Sequence, residues 1–275
     1  MRFEFAYEWV LGWRYTRAGR ATRRNGFISF ISGVSMLGIG LGVAEALAAA
    51  GAHVVLNSFT DRPEDHALAA DLARRYGVSA RYIAADMADG AACRDLIVKA
   101  GACDILVNNA AGNFSCPTAE LSPNGWRTVV DIDLNGTFYG CRAGYKHLKN
   151  SAYGGCIISI VTMLGLSGWP AAAHAAAAKA GIISLSRTLA VEWGGDNIRV
   201  NTISPGPIAD TLGVQRLYQE TGREELERKK TALGRFGRKS EIANAAVYLA
   251  SDLATYVTGE NMVVDGGRWL KYVSA

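Results

Sequence analysis

The sequence has no Cys-x-x-Cys pair, no clustered histidines, no internal repeat and no linker-like stretch. Its five cysteines (Cys93, Cys103, Cys116, Cys141, Cys156) are scattered and odd in number, which argues against a disulfide framework and reads as reduced, partly buried thiols. The four histidines (His53, His66, His147, His174) show no ligand spacing with cysteine or carboxylate, so no metal site is expected. With no linker to divide it, a chain of 275 residues is expected to bury one large core.

A basic surplus is also missing from most of the chain. Residues 1–25 hold six arginines (Arg2, Arg14, Arg17, Arg20, Arg23, Arg24) against Glu4 and Glu8, and the other 250 residues carry 23 basic and 23 acidic groups. A neutral body offers no groove for a phosphate backbone, so no nucleic-acid partner is expected. Two units follow from this asymmetry: a basic, aromatic arm at 1–25 and a folded domain at 26–275.

What is present is an alternation of short apolar strands and longer helices. Phe27-Ile28-Ser29-Phe30-Ile31-Ser32 fits a first strand, and Gly38-Ile39-Gly40 opens a helix through Ala50 that Gly51 ends. His53-Val54-Val55-Leu56 fits a second strand, ending in Asn57-Ser58. Ile157-Ile158-Ser159-Ile160 reads as a buried strand, 171–193 as a long alanine-rich helix, and 198–208 as strand and loop. The predicted fold class is α/β: a single doubly wound Rossmann domain with a mainly parallel sheet. In such a fold a glycine turn at a helix N-terminus meets a pyrophosphate.

This order, together with Ile105-Leu106-Val107-Asn108-Asn109-Ala110-Ala111-Gly112 and Lys179 in its helix, resembles the short-chain dehydrogenase/reductase family from about Gly38 to Leu270. The resemblance implies a nicotinamide cofactor held by Gly33, Gly38, Ile39 and Gly40 in the glycine turn and by Ser58 after strand two. Asp86 and Met87 would hold the adenine, Asn108 and Ala110 the ribose side, and Pro205, Gly206 and Ile208 the nicotinamide, with Thr211 at the carboxamide and Lys179 on the nicotinamide ribose. One feature departs from the family: four residues (Val34, Ser35, Met36, Leu37) separate Gly33 from Gly38 where the family has three. A side chain at the close-approach position pushes a dinucleotide outward, so ordinary turn glycines are the competing reading. Asn57-Ser58 brings no carboxylate to repel a 2′-phosphate, which favours NADPH over NADH.

The family's tyrosine, serine and asparagine positions carry Ala175, Thr162 and Asp133 here. Asp133 paired with Lys179, with alanine replacing tyrosine, resembles the peroxisomal-type 2,4-dienoyl-CoA reductases, as do Asn109 through Phe114, His174 through Gly181, Leu189 through Gly194 and Tyr256 through Gly267. That resemblance implies hydride addition to a conjugated enoyl or dienoyl thioester, with a proton delivered through Asp133, Lys179 and water. Competing roles are a helix-turn cap for Asp133, ribose binding alone for Lys179 and a structural role for Thr162. Basic residues between 209 and 239 (Arg216, Arg223, Arg228, Lys229, Lys230, Arg235, Arg238, Lys239) fit either a phosphorylated CoA arm or a solvated helical face.

Stretches from Gly40 to Gly51 and from Val55 to Phe59 resemble 3-hydroxybutyrate dehydrogenases of the same family, and residues 1–44 resemble the start of permease subunits of bacterial lipoprotein-releasing transporters, which suggests a fusion. Phe27 to Ala44 is uncharged for 18 residues, but seven of them are glycine or serine and Glu45 follows. Phe5, Trp9 and Trp13 share one helical face, so membrane-surface contact through 1–44 is the alternative to a cytoplasmic protein. Helices around 126–149 and 171–193 and a strand near 262–265 resemble the family's dimer and tetramer faces, so a homo-oligomer is expected. Three functions remain open at this point: the thioester reductase, a carbonyl/alcohol oxidoreductase that Ala175 disfavours, and a catalytically impaired Rossmann scaffold.

Overall fold

The computed structural model describes residues 26–29, 38–209, 211, 214–220 and 222–271. The arm at 1–25, Gly33 and the extra-residue turn at 34–37 lie outside the described residues, as do residues 30–32 of the expected first strand.

The strands are β1 (Gly26–Ser29), β2 (Val54–Ser58), β3 (Ala80–Ala84), β4 (Ile105–Asn108), β5 (Gly155–Ile160), β6 (Ile198–Pro205) and β7 (Asn261–Val264). Hydrogen bonding joins five of them in the order β1-β4-β5-β6-β7, and β2 pairs with β3 beside β1. Every pairing is parallel. In register, Ser29 stands opposite Asn108, Asn108 opposite Ser159, and Ser159 opposite Thr202. The carboxyl ends of the central strands therefore line up at one edge, where open α/β sheets bind ligands.

Helices α1 (Ile39–Ala49), α2 (Pro63–Tyr76), α3 (Gly90–Ala100), α4 (Pro123–Val130), α5 (Gly136–Lys149), α6 (Ala173–Trp193), α7 (Glu224–Lys229), α8 (Lys239–Ala250) and α9 (Arg268–Lys271) complete the described elements. Strand side chains alternate between two helical layers, as the two-residue period of a strand requires. Val54, Leu56, Ile105, Val107, Ile158 and Ile160 pack with α1, α2 and α8, while Val55, Leu106 and Ile157 pack with α3, α5 and α6. Both faces of the sheet are covered, which is why the strands read as nearly continuous apolar runs.

Two helices differ from the sequence expectation. The helix expected from 171 starts at Ala173, because Ala171 adopts the left-handed region at φ 59° and breaks the helical path. The helix expected around 126–149 is interrupted by a π-helical turn, Asp131–Asn135, between α4 and α5. Gly51, at φ 90°, ends the first helix as its sequence suggested. The uncharged stretch 27–44 is described only in part, as β1 and the start of α1. No helix among the described residues is long and apolar enough to cross a membrane.

Candidate active site

Asp133 lies in the π-helical turn, where the extra residue per turn swings its side chain away from the regular helix ladder. Its carboxylate is buried. Oδ1 accepts a hydrogen bond from the Gly112 N–H at 2.7 Å, and Oδ2 lies 3.1 Å from Lys179 Nζ. The contact with Lys179 is an ion pair by distance without hydrogen-bond alignment, so Oδ2 keeps capacity for another donor. Thr137 Oγ1 donates to the Asp133 carbonyl at 2.6 Å and steadies the turn from below.

Lys179 comes from α6 and is buried as deeply as its partner. Its ammonium also donates to the Ile160 carbonyl at the end of β5, at 3.4 Å. An ammonium has three donors, so one remains for a third group. Two glycines let the backbone close around it. A Cβ at Gly165 would sit 2.9 Å from the Lys179 carbonyl carbon, and one at Gly181 would sit 2.8 Å from Leu134 of the π-helical turn. Helix α6 can therefore press against both the loop after β5 and the Asp133 segment.

Ala175, one turn before Lys179, is buried. Thr162 Oγ1 accepts from the Leu164 N–H at 3.1 Å and caps the short turn Met163–Gly165, leaving its hydroxyl proton for another acceptor. His174, which begins the motif that runs to Gly181, is fully buried with no hydrogen-bond partner on either ring nitrogen. Nothing in its sequence spacing pointed to it.

The nucleotide side is partly described. Helix α1 starts behind Gly38, which has no side chain to cap the first turn, and no acidic residue follows in that turn. Its N–H groups thus suit an anion. Asn108, at the end of β4, donates to Ser159 Oγ at 3.2 Å, while its buried Oδ1 has no partner. Gly206, after β6, lies so close to β7 that a Cβ there would stand 2.7 Å from Asp265 Cα. These features fit a dinucleotide laid along the strand ends: an open helix terminus, an unmet acceptor and a closely approached glycine.

Other expected cofactor residues are engaged locally. Asp86 is exposed and accepts from the Ala88 N–H, and Met87 is buried against Gly136. Ser58 is buried, and Asn57 beside it ties β2 to the Ile83 carbonyl at 2.8 Å. Ala110 is half-buried behind β4, and Ile208 is buried in a bridge with Gly237. Thr211 donates to the Ile208 carbonyl at 2.7 Å and accepts from the Val214 N–H, so its one proton is committed to its own turn.

The basic residues expected to meet a CoA arm are largely paired within their own segment: Arg228 with Glu224, Lys229 with Glu225, Lys230 with Glu227 and Arg235 with Glu241. Three of these pairs follow i,i+3 or i,i+4 helical spacing, as on a solvated face. One further pair is buried: Arg268 Nη2 lies 2.5 Å from Glu227 Oε2 and joins α7 to α9. Burial raises the Glu227 carboxyl, but hydrogen bonds from Lys230 and Arg268 outweigh it and hold that carboxyl below its ordinary range. Burial pushes the Cys93 and Cys141 thiols up to about 12, which keeps both protonated and unreactive.

A family profile described as enoyl-(acyl carrier protein) reductase matches residues 33–268. The chain belongs to the short-chain dehydrogenase/reductase family. It is 41% identical over 249 residues to a peroxisomal 2,4-dienoyl-CoA reductase, (3E)-enoyl-CoA-producing, of Pongo abelii, covering 89% of this chain and 84% of that protein. It is 48% identical over 178 residues to the Arabidopsis thaliana protein of the same name, covering 62% of this chain and 59% of that one. Among solved structures, a candidate 2-deoxy-D-gluconate 3-dehydrogenase of Agrobacterium tumefaciens with bound NADP is similar at 34% identity and TM-score 0.79, covering 90% and 97% of the two chains. As a short-chain dehydrogenase/reductase the chain is an oxidoreductase.

Proposed function

We propose that this enzyme is an NADPH-dependent reductase of conjugated enoyl or dienoyl-CoA thioesters. The observation that carries the reading is the buried Asp133/Lys179 pair, 3.1 Å apart, one helical turn from an alanine where a ketone reductase needs a phenol. NADPH, which the open start of α1 behind Gly38, Asn108 and Gly206 would hold, would supply the hydride that adds to the far end of the conjugated system. The displaced electron pair moves through the double bonds to the thioester oxygen and leaves an enolate. A water held by the open Oδ2 of Asp133 and by Lys179 gives its proton to the enolate carbon, and Lys179 restores the water and is reprotonated from solvent. Asp133 holds the lysine in place, and Thr162 is free to donate its hydroxyl proton to the oxygen. The substrate gains one hydride and one proton.

The NADPH preference is supported by Asn57 and Ser58 at the end of β2, with the nearest following carboxylate, Asp61, turned to His66. The acyl-CoA substrate is supported by the names of the relatives, and the paired charges of 209–239 add little to it. Homo-oligomerisation is supported by exposed Trp126, Phe138 and Val191 on α4, α5 and α6. We read the enzyme as cytoplasmic, with 1–25 as a separate arm, and its likeness to permease subunits supports 1–44 as a fused segment with membrane-surface contact as the alternative placement.

Asp133→Asn and Lys179→Met test the mechanism. Each is expected to lower kcat with a 2,4-dienoyl-CoA by about 10²–10⁴-fold, the range of positioned proton transfer, with NADPH affinity measured by cofactor fluorescence and folding by circular dichroism. Full activity in either variant removes that residue from the mechanism.

A further inference from the structure

His174 is a buried polar group at this site that the Asp133/Lys179 pair does not account for. Its side chain is fully buried, and neither Nδ1 nor Nε2 has a hydrogen-bond partner. A neutral imidazole has one donor and one acceptor, and protein interiors seldom leave both unmet. The ring lies edge-on to Phe114, with centroids 4.4 Å apart and planes at 74°.

The loop after β4 joins this imidazole to the catalytic pair. Gly112 holds Asp133, and Phe114, two residues on, covers His174. Three extended residues span at most about 10 Å, so the backbone that holds Asp133 and the residue that covers His174 are near neighbours in one loop. The Cys116 N–H donates to the Ala171 carbonyl at 2.9 Å, which pins the loop to the segment ahead of α6. Ala171 itself holds φ 59°, a conformation costly for a residue with a Cβ, at the point that aims the start of α6.

The reduction proposed above collects negative charge on the thioester oxygen, and few donors stand ready for it. Asp133 is an acceptor, position 175 has only a methyl group, and the donors already named are the Thr162 hydroxyl and the remaining proton of Lys179, which also has a water to hold. We propose that His174 donates a hydrogen bond from its ring N–H to the thioester oxygen of the substrate, reached when the Phe114 ring moves aside. No bond to the imidazole is made or broken; its N–H only hydrogen-bonds the oxygen as that oxygen gains charge. The proposal rests on the thioester reading of this site.

The test compares wild-type protein with His174→Gln, which keeps a donor, and His174→Phe, which has none, with His174→Leu as a smaller apolar variant should phenylalanine prevent folding. The probes are a 2,4-hexadienoyl-CoA and the matching thioether, which lacks the carbonyl. Wild type is expected to bind the thioester at least about tenfold more tightly than the thioether. The apolar variant is expected to lower that ratio severalfold and to lower kcat about 10²-fold, as loss of one oxyanion donor does. Its melting temperature should be no lower than that of wild type, and His174→Gln should recover at least about tenfold in kcat over it. If the apolar variant keeps both ratio and rate, or if His174→Gln falls as far as the apolar variant, the imidazole is a packing element and the proposal is overturned. It is overturned too if wild type does not distinguish thioester from thioether. A His174-dependent preference for the thioester without any turnover would uphold this donor and defeat the reduction instead.

Discussion

At position 175 a buried methyl group occupies the place from which a phenol would reach a carbonyl oxygen. In the reading proposed above, proton delivery comes from another direction, through a water held by the Asp133/Lys179 pair. A pair this deeply buried is costly to break from one side: removing one partner strands the other charge at a typical expense of about 3–5 kcal/mol. Ala175→Tyr asks whether the remaining architecture still suits ketone chemistry. We expect NADPH oxidation with a simple ketone to rise about 10²-fold above background, the low end of general-acid catalysis, together with a folding stability lowered by about 1–3 kcal/mol through overpacking. No gain in ketone reduction, in a variant shown to be folded, would mean that the site around Asp133 no longer presents a carbonyl to position 175.

Helices carry these residues, and their ends decide how well they are held. Glu241 in the first turn of α8 accepts from the Arg238 N–H at 2.7 Å and pairs with both guanidinium nitrogens of Arg235, at 2.6 and 2.9 Å. The Arg235 hydrogen bond, then the Arg238 N–H, lower its carboxyl from the ordinary 4.5 to about 2. A depressed carboxylate stabilises the folded state fully above its unfolded value and loses that contribution as pH falls through its folded value. Its contribution should therefore fade between pH 4.5 and about 2. Glu241→Gln should be less stable than wild type at pH 6, by about 1 kcal/mol as for a lost cap, and so melt lower there, and the two should converge near pH 2. Parallel melting curves across that window would show that Glu241 is not part of the acid response.

The same scale explains what the sequence made legible. Apolar runs such as Ile157-Ile158-Ser159-Ile160 announced buried parallel strands, because both faces of each strand are covered. Gly51 marked a helix end because its φ of 90° suits glycine. The π-helical turn around Asp133 left no such trace, since its apolar spacing differs from a regular helix by a single residue. The left-handed Ala171 was equally hidden, as alanine is normally a helix former. For the site, the pairing of Asp133 with Lys179 was readable from a resemblance, whereas the Gly112 N–H, the Ile160 carbonyl and the unpartnered His174 depend on tertiary approach. The charges of 209–239 were ambiguous in sequence because i,i+4 acidic partners and a ligand's phosphates call for the same basic residues.

Across the whole molecule, the two helical layers are not equally finished. The layer of α1, α2 and α8 closes over one sheet face, while the layer of α3, α5 and α6, with α4 beside it, leaves large apolar side chains uncovered: Trp126, Phe138 and Val191, the last 85% exposed. Three such residues on adjoining helices are what a subunit contact would bury, since core positions of interfaces favour aromatic side chains. Light scattering on the purified protein should then give a mass that is a multiple of 29.3 kDa. Trp126→Asp should shift it toward the single-chain mass, because an unpaired carboxylate in a buried contact costs more than the contact returns. A wild-type mass of 29.3 kDa at all concentrations would instead make these side chains ordinary surface, and the site at the strand ends would have to work within one chain.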